Sequence, residues 1–186
     1  MPRVNMFNNI SLDGYFTDAN SDMSWAHAGR DDPEMREFTS KNAQGGGALI
    51  FGRITYQMMA AFWPTPMAAQ MMPEVAKGMN AARKYVFSHS LKSADWANTV
   101  ILDGDPASEI ARLKDGSDKG LTILGSGSIV KQLTAAGLID DFQFLLCPVV
   151  LGGGRTLFDG VPGRPTLSLE NSRTFKNGKV FLHYRR

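Results

Sequence analysis

Short apolar runs, each closed by a glycine or proline turn, organise this sequence. Leu121 to Leu124 is one such run, and its length and apolar character predict a buried strand. Gly125-Ser126-Gly127 breaks it, and Ser128 stands as an N-cap. Ile129, Val130, Leu133 and Leu138 follow at mostly helical spacing, with Gly137 as the stop. Ala48 to Phe51 opens a second unit of the same kind. It stops at Gly52-Arg53-Ile54-Thr55, and Tyr56, Met59, Ala60 and Trp63 predict a helix after it. Arg3 to Ile10 alternates imperfectly, which predicts a first strand running to about Leu12 and turning at Asp13-Gly14. Thr17 to Asp22 reads as a loop. Asp31-Asp32-Pro33-Glu34 predicts a helix start, with Met35 and Phe38 on its apolar face and Gly45-Gly46-Gly47 ending the region.

Pro64, Pro66 and Pro73 break up the next stretch, which carries Met58, Met59, Met67, Met71, Met72 and Met79. These methionines read as flexible core filler, the alternative being an adaptable apolar lid over a ligand. Lys84 to Phe87 and Val100 to Leu102 predict two more strands, and Pro106 to Leu113 a short helix. Phe142 to Leu151 predicts a long strand closed by Gly152-Gly153-Gly154. Leu167 to Glu170 and Val180 to Tyr184 predict the last two strands, turning at Lys176-Asn177-Gly178. Strands that first alternate with helices and then follow one another predict an α/β fold. Its central sheet is mostly parallel, with helices on both faces and an antiparallel C-terminal edge, and residues 1–186 form one domain.

Composition narrows the function classes. The 186 residues are 43% hydrophobic and 20% charged, as in a soluble globular protein. A net charge of +2 argues against nucleic acid or an anionic membrane as partner. No apolar run is long enough to span a bilayer, and the N-terminus has no signal-peptide pattern, so a cytoplasmic location is expected. The one cysteine, Cys147, lies among apolar neighbours and reads as an inert buried thiol. His27, His89 and His183 show no metal-ligand spacing, so no metal is expected.

In such a sheet ligands gather at the carboxyl ends of the strands. Four predicted strand ends carry polar or glycine-rich clusters: Ser11 to Gly14, Gly52 to Thr55, Ser88-His89-Ser90 and Gly125 to Ser128. The two strand–glycine–helix junctions offer helix starts for a pyrophosphate. Arg53, Ser88, His89 and Ser90 suit a 2′-phosphate, which points to NADPH over NADH. The NAD-type Rossmann fingerprint is rejected. Val130 stands where its third glycine belongs, and the next strand does not end in an acid.

As a set, these residues resemble the dihydrofolate-reductase-like fold, closest to the reductase domain of riboflavin biosynthesis, the C-terminal domain of the bifunctional deaminase–reductase. The resemblance covers nearly the whole chain. It rests on Ser11-Leu12-Asp13-Gly14-Tyr15, Leu49 to Tyr56, Val86-Phe87-Ser88, Gly125-Ser126-Gly127 through Asp140, and Pro148 to Gly154. It implies NADPH binding at Gly52, Arg53 and Thr55, at Ser88, His89 and Ser90, and at Gly125, Ser126, Gly127, Ser128 and Ile129. It also implies that Ser11, Asp13 and Tyr15 lie near nicotinamide and substrate, and that the protein is a homodimer. Trp25, Glu34 and Phe38 resemble the tryptophan, acid and aromatic residue of dihydrofolate reductase itself, although acids are favoured in any first helical turn. No zinc-deaminase segment is present.

The function expected is an NADPH-dependent reductase that passes a hydride to a small heterocycle, resembling 5-amino-6-(5-phosphoribosylamino)uracil reductase. Asp13, Glu34 or water supplies the proton. Arg155 and Arg164 are the candidate grips for a ribosyl phosphate. A dihydrofolate or pterin reductase and a non-catalytic NADPH-binding protein are the alternatives.

Overall fold

A computed structural model describes residues 2–28, 32–43, 45, 47–116 and 119–186. Asp31 and Gly46, named above in a cap and a glycine turn, lie outside the described residues. Eight strands form one sheet in the order β5-β4-β3-β6-β1-β7-β10-β9. These are β1 (Val4–Ser11), β3 (Ala48–Gly52), β4 (Lys84–Phe87), β5 (Thr99–Leu102), β6 (Leu121–Leu124), β7 (Asp141–Cys147), β9 (Ser168–Thr174) and β10 (Val180–Arg185). The six strands from β5 to β7 pair in parallel, and β10 and β9 close the C-terminal edge antiparallel. The α/β class, the parallel centre and the antiparallel edge are as the residue pattern predicts.

Helices cover both faces of the parallel centre, whose strands send successive side chains to opposite sides. On one face Val4, Met6, Ile123 and Phe142 pack with Ile110 of α5 (Pro106–Asp115) and with Ile129, Val130 and Leu133 of α6 (Gly127–Ala135). On the other, Phe51 and Val86 pack with Tyr56 of α2 (Arg53–Phe62) and with Val75 and Met79 of α4 (Pro73–Ala81). Met35 of α1 (Pro33–Ala43) joins Leu145, Phe175 and Phe181 there.

Helix starts follow local chemistry. Asp32 Oδ1 accepts from the amides of Glu34 (2.9 Å) and Met35 (3.3 Å), and Asp105 accepts from Ser108 N at 3.0 Å. Prolines begin α1, α3 (Pro66–Met71), α4 and α5, where a missing N–H costs nothing. Pro66 and Pro73 therefore start helices in the stretch that the sequence reads only as broken.

Several expectations are corrected. The helix after β6 begins at Gly127, with Ser126 as N-cap at φ 57°, so Ser128 is not the cap. The strand expected to reach Leu151 stops at Cys147, because Pro148 has no N–H to extend the ladder. Two short strands escaped the pattern: β2 (Tyr15–Thr17) pairs with β8 (Arg155–Thr156) beside the main sheet. Met79 is core and Met59 and Met72 pack against it, whereas Met58, Met67 and Met71 are exposed. Lys84, read as part of an apolar run, is fully buried. Its Nζ donates to the carbonyls of Asn80 (3.1 Å), Ala82 (2.7 Å) and Ala97 (3.0 Å), and burial pulls its pKa down to about 8. Cys147 is buried, and burial pushes its thiol up, which fits an inert role. No helix among the described residues is long and apolar enough to cross a membrane.

Candidate functional site

Neighbouring strands β1 and β6 send their chains to opposite faces of the sheet. α1 packs with Leu145 on one face and α6 with Phe142 on the other. A parting of this kind leaves a crevice at the carboxyl ends of the strands. Here it belongs to a cleft of about 1600 Å³.

The two glycine junctions lock to each other at its edge. Gly52 N donates to Ser126 Oγ at 2.7 Å, Ser126 N donates to Thr55 Oγ1 at 3.2 Å, and Ser126 Oγ donates to Leu124 O at 3.2 Å. The hydroxyls of Thr55 and Ser126 are thus committed to the junction. A Cβ on Gly127 would sit 2.5 Å from Phe16 Cζ, and Gly125 has φ +59° with Thr55 Cγ2 at 3.1 Å from its would-be Cβ. These glycines are required by packing first. The consequence is that two helices, α2 and α6, begin side by side. Residues 53–55 and 127–129 line the cleft. A first helical turn leaves N–H groups unpaired there, although Ile129 N already donates to Ser126 O at 2.9 Å.

Ser88, His89 and Ser90 follow β4 and line the same cleft. Ser88 Oγ accepts from the amides of Ser90 (3.2 Å) and Leu91 (2.9 Å), so it also shapes the turn. Arg53 donates to Gln57 Oε1 at 3.1 Å, and the Arg155 guanidinium stands 5.8 Å from the centre of the Phe16 ring. Among the described residues no carboxylate lines the cleft. Arg53 and Arg155 line it at the carboxyl ends of the strands, and Lys41, Arg83, Arg112 and Lys119 border it towards their amino ends. Arg164 lies outside it. Towards α1 a neutral group lines the cleft, Phe7, Asn9, Phe38, Thr39 and Gln143, together with Lys41 in the last turn of that helix. Met23, Met58, Met59 and Met79 contribute to the wall, while Met67, Met71 and Met72 do not.

All eleven residues expected to hold the cofactor therefore line one cleft: Gly52, Arg53, Thr55, Ser88, His89, Ser90, and the run from Gly125 to Ile129. Of the substrate set only Phe38 lines it, edge-on to Phe175 with centroids 5.3 Å apart. Ser11 is fully buried, and its Oγ accepts from Tyr15 N at 2.9 Å. Tyr15 lies in β2, and Trp25 Nε1 donates to Asp22 O at 3.2 Å. Asp13 accepts from Gly152 N at 2.8 Å and from Leu151 N at 3.1 Å, binding the first turn to the loop after β7. Hydrogen bonds from Ser11 and those amides hold its carboxyl below the usual carboxylate range. Glu34 faces Arg173 of β9 at 3.7 Å.

Residues not singled out in the sequence also enter. Asn8, Asn9, Phe16, Thr17 and Gln143 line the cleft, and Asn8 and Thr17 are buried. The signal was present as Asn8-Asn9 inside a central strand, where buried amides are uncommon.

Comparison with known proteins bears on the family and the fold. The family model for the RibD C-terminal domain matches residues 2–181. Uncharacterized protein YyaP of Bacillus subtilis is 29% identical over 175 residues, 94% of this chain and 90% of that one. A putative riboflavin biosynthesis protein from Shewanella superposes with a TM-score of 0.73 at 20% identity, over 99% of this chain and 98% of that one. A Thermotoga maritima deaminase/5-amino-6-(5-phosphoribosylamino)uracil reductase gives 0.66 at 15% identity, over 99% of this chain and 56% of that one. With its sheet order, its paired glycine junctions and this match over almost its full length, the chain belongs to the RibD C-terminal domain family.

Proposed function

We propose that the protein is an NADPH-dependent reductase of a small heterocycle. The observation that carries the proposal is electrostatic. At the carboxyl ends of the strands, Arg53, Arg155 and two helix starts share a cleft that no carboxylate lines among the described residues. A polyanionic nucleotide suits that lining. The first turns of α2 and α6 would hold the diphosphate, and Arg53, Ser88, His89 and Ser90 the 2′-phosphate. When bound, the reduced nicotinamide supplies the hydride. The chain's own residues hold and orient the partners.

The neutral group towards α1 supports the substrate class. The amides Asn9 and Gln143 and the rings Phe7 and Phe38 match the donor–acceptor edge and flat face of a lactam such as an aminouracil. Arg155 is the candidate grip for a ribosyl phosphate. A pterin reductase that uses a ring-facing acid is less well supported, since Glu34 and Asp13 lie outside the lining, and the proton comes from water. Assembly as a homodimer belongs to the same proposal, and sedimentation velocity tests it.

Fluorescence titration with NADPH and NADH tests the reading. Wild type should prefer NADPH, and Arg53→Ala should lose roughly 10- to 100-fold of NADPH affinity with NADH little changed, as for one charge-assisted contact. Binding without oxidation by any aminouracil or pterin would favour the non-catalytic alternative. No binding of either nucleotide would overturn the proposal.

A further inference from the structure

A second basic group stands at the far end of the sheet, away from the helix starts. Arg83, Arg112 and Lys119 border the cleft at the amino ends of β4, β3 and β6. They come from three places in the chain: the residue before β4, the latter half of α5 and the approach to β6. Tyr85, Ala48 and Leu121 join the core on the α5–α6 face. Arg83 lies two residues before Tyr85, so the pleat turns both side chains to that face. Its guanidinium stands 5.7 Å from the centre of the Tyr85 ring. α5 packs on the same face through Ile110 and Leu113. Glu109 chiefly, and the Tyr85 phenol to a smaller extent, raise the pKa of Arg112, which places its charge near Tyr85 as well. Glu109 engages Arg112 through Nη2 at 2.6 Å and does not line the cleft, and a guanidinium has further donors to offer. Lys41 belongs instead to α1 on the other face, where Glu37 engages it at 2.6 Å.

Between these cations the lining is small. Gly47, Ala48 and Gly120 supply it, and a Cβ on Gly47 would meet Gly120 O at 2.4 Å. β3 and β6 therefore begin side by side with no side chain between those two glycines. Among the described residues no carboxylate lines this part of the cleft. Forked guanidinium groups match phosphate oxygens, and cations gathered without acids favour a polyanion. We propose that this pocket is a second anion site that takes a diphosphate group, held by Arg83, Arg112 and Lys119 over the Gly47–Gly120 backbone. Ala48 starts β3 at this pocket and Gly52 ends it at the glycine junctions, roughly 13 Å away at ~3.3 Å per residue. The site is thus separate from the starts of α2 and α6, and it does not rest on the cofactor reading.

Amide NMR shifts resolve the two ends of β3 in one titration. Inorganic diphosphate, added against potassium chloride of equal ionic strength, should give saturable shifts at Gly47, Ala48, Lys119 and Gly120. Arg83→Gln and Lys119→Gln should each weaken that curve about tenfold, as for one charge-assisted contact. Both side chains are exposed, and thermal melts check that the variants are folded. Arg53→Ala should leave the curve unchanged, whatever it does to shifts at Gly52 and Gly125 to Ile129. ADP in place of diphosphate separates the sources. The same saturable shifts would assign the group to a nucleotide, and their absence would assign the free anion. Diphosphate shifts that do not saturate, or that chloride reproduces, would reduce the group to a solvated basic surface and overturn the proposal. So would shifts confined to Gly52 and Gly125 to Ile129, which would leave the cofactor reading standing.

Discussion

The two ends of the parallel sheet use the same residue types to opposite effect. At the amino ends Asp141 is 3% exposed. It is engaged by Arg3, by His183 Nε2 at 2.7 Å and by Arg185 at 3.5 Å, and Asp140 accepts from Lys114 at 2.8 Å. Charge there is matched by charge across the ends of β1, β7 and β10. At the carboxyl ends Arg53 and Arg155 share a cleft that no carboxylate lines among the described residues, and the buried Asn8 amide has a free oxygen. Charges with partners hold a fold together, while cationic groups gathered with no carboxylate beside them suit an anionic ligand. The contrast predicts that substitutions at the amino end act on stability, and that those at the carboxyl end act on binding.

The largest effect is expected at Asp141. Burial opposes its charge, but Arg3 and His183 outweigh that, and its pKa stands below the usual carboxylate range. Asp141→Ala takes the carboxylate from Arg3 and His183, leaves Arg185 with Glu170 at 2.9 Å, and should cost about 3–5 kcal/mol of stability. Chemical denaturation measures that loss, while NADPH affinity should stay within about twofold, as expected for distant sites. The sign with pH follows from the lowered pKa. The stabilisation is fully present above the unfolded-state value near ~3.9 and is lost as pH falls through the folded value. Wild type should therefore lose stability more steeply than Asp141→Asn below about pH 4. A parallel acid limb in the two proteins would show that the cluster is not what secures this end.

Two substitutions at the opposite end sharpen the contrast. Gly127→Ala places a methyl against the Phe16 ring and should cost about 1–3 kcal/mol by overpacking. It should also weaken NADPH binding far more than Asp141→Ala does, because the start of α6 must shift. Thr55→Val keeps the shape and removes the acceptor for Ser126 N, at about 1 kcal/mol. If affinity falls no further than stability explains, the interlock serves the fold alone.

How much of this could be read from the chain depends on distance along it. The two strand–glycine–helix junctions were legible because each is local: an apolar run, a glycine, then helical spacing. Their interlock was not, since Gly52 and Ser126 are far apart in sequence and Ser126 enters α6 through a left-handed cap. Asn8 escaped notice because a polar residue inside a strand looks like a solvent-facing position until the neighbouring strands are known, and Thr17 because its polar surroundings read as the start of a loop. Glu34 and Asp13 were named for residue type and motif. Only the fold reveals that one faces Arg173 and the other the loop after β7.

Asp13 gives the smallest and most local prediction. Its carboxylate accepts from Leu151 N and Gly152 N, and Gly152 adopts φ +71°. Both bonds favour the ionised form, as does the hydrogen bond from Ser11, so at neutral pH the group has no proton to give. A proton donor would need the reverse. Asp13→Asn should leave global stability nearly unchanged, because the group is exposed. It should speed hydrogen exchange at Leu151 and Gly152, where a neutral amide is a weaker acceptor, and leave the core strands β1 and β6 protected as before. Unchanged exchange at those two amides would release Asp13 from the loop and return it to the candidates for proton transfer. Faster exchange confined to them would assign it to holding the loop that carries Arg155 to the cleft.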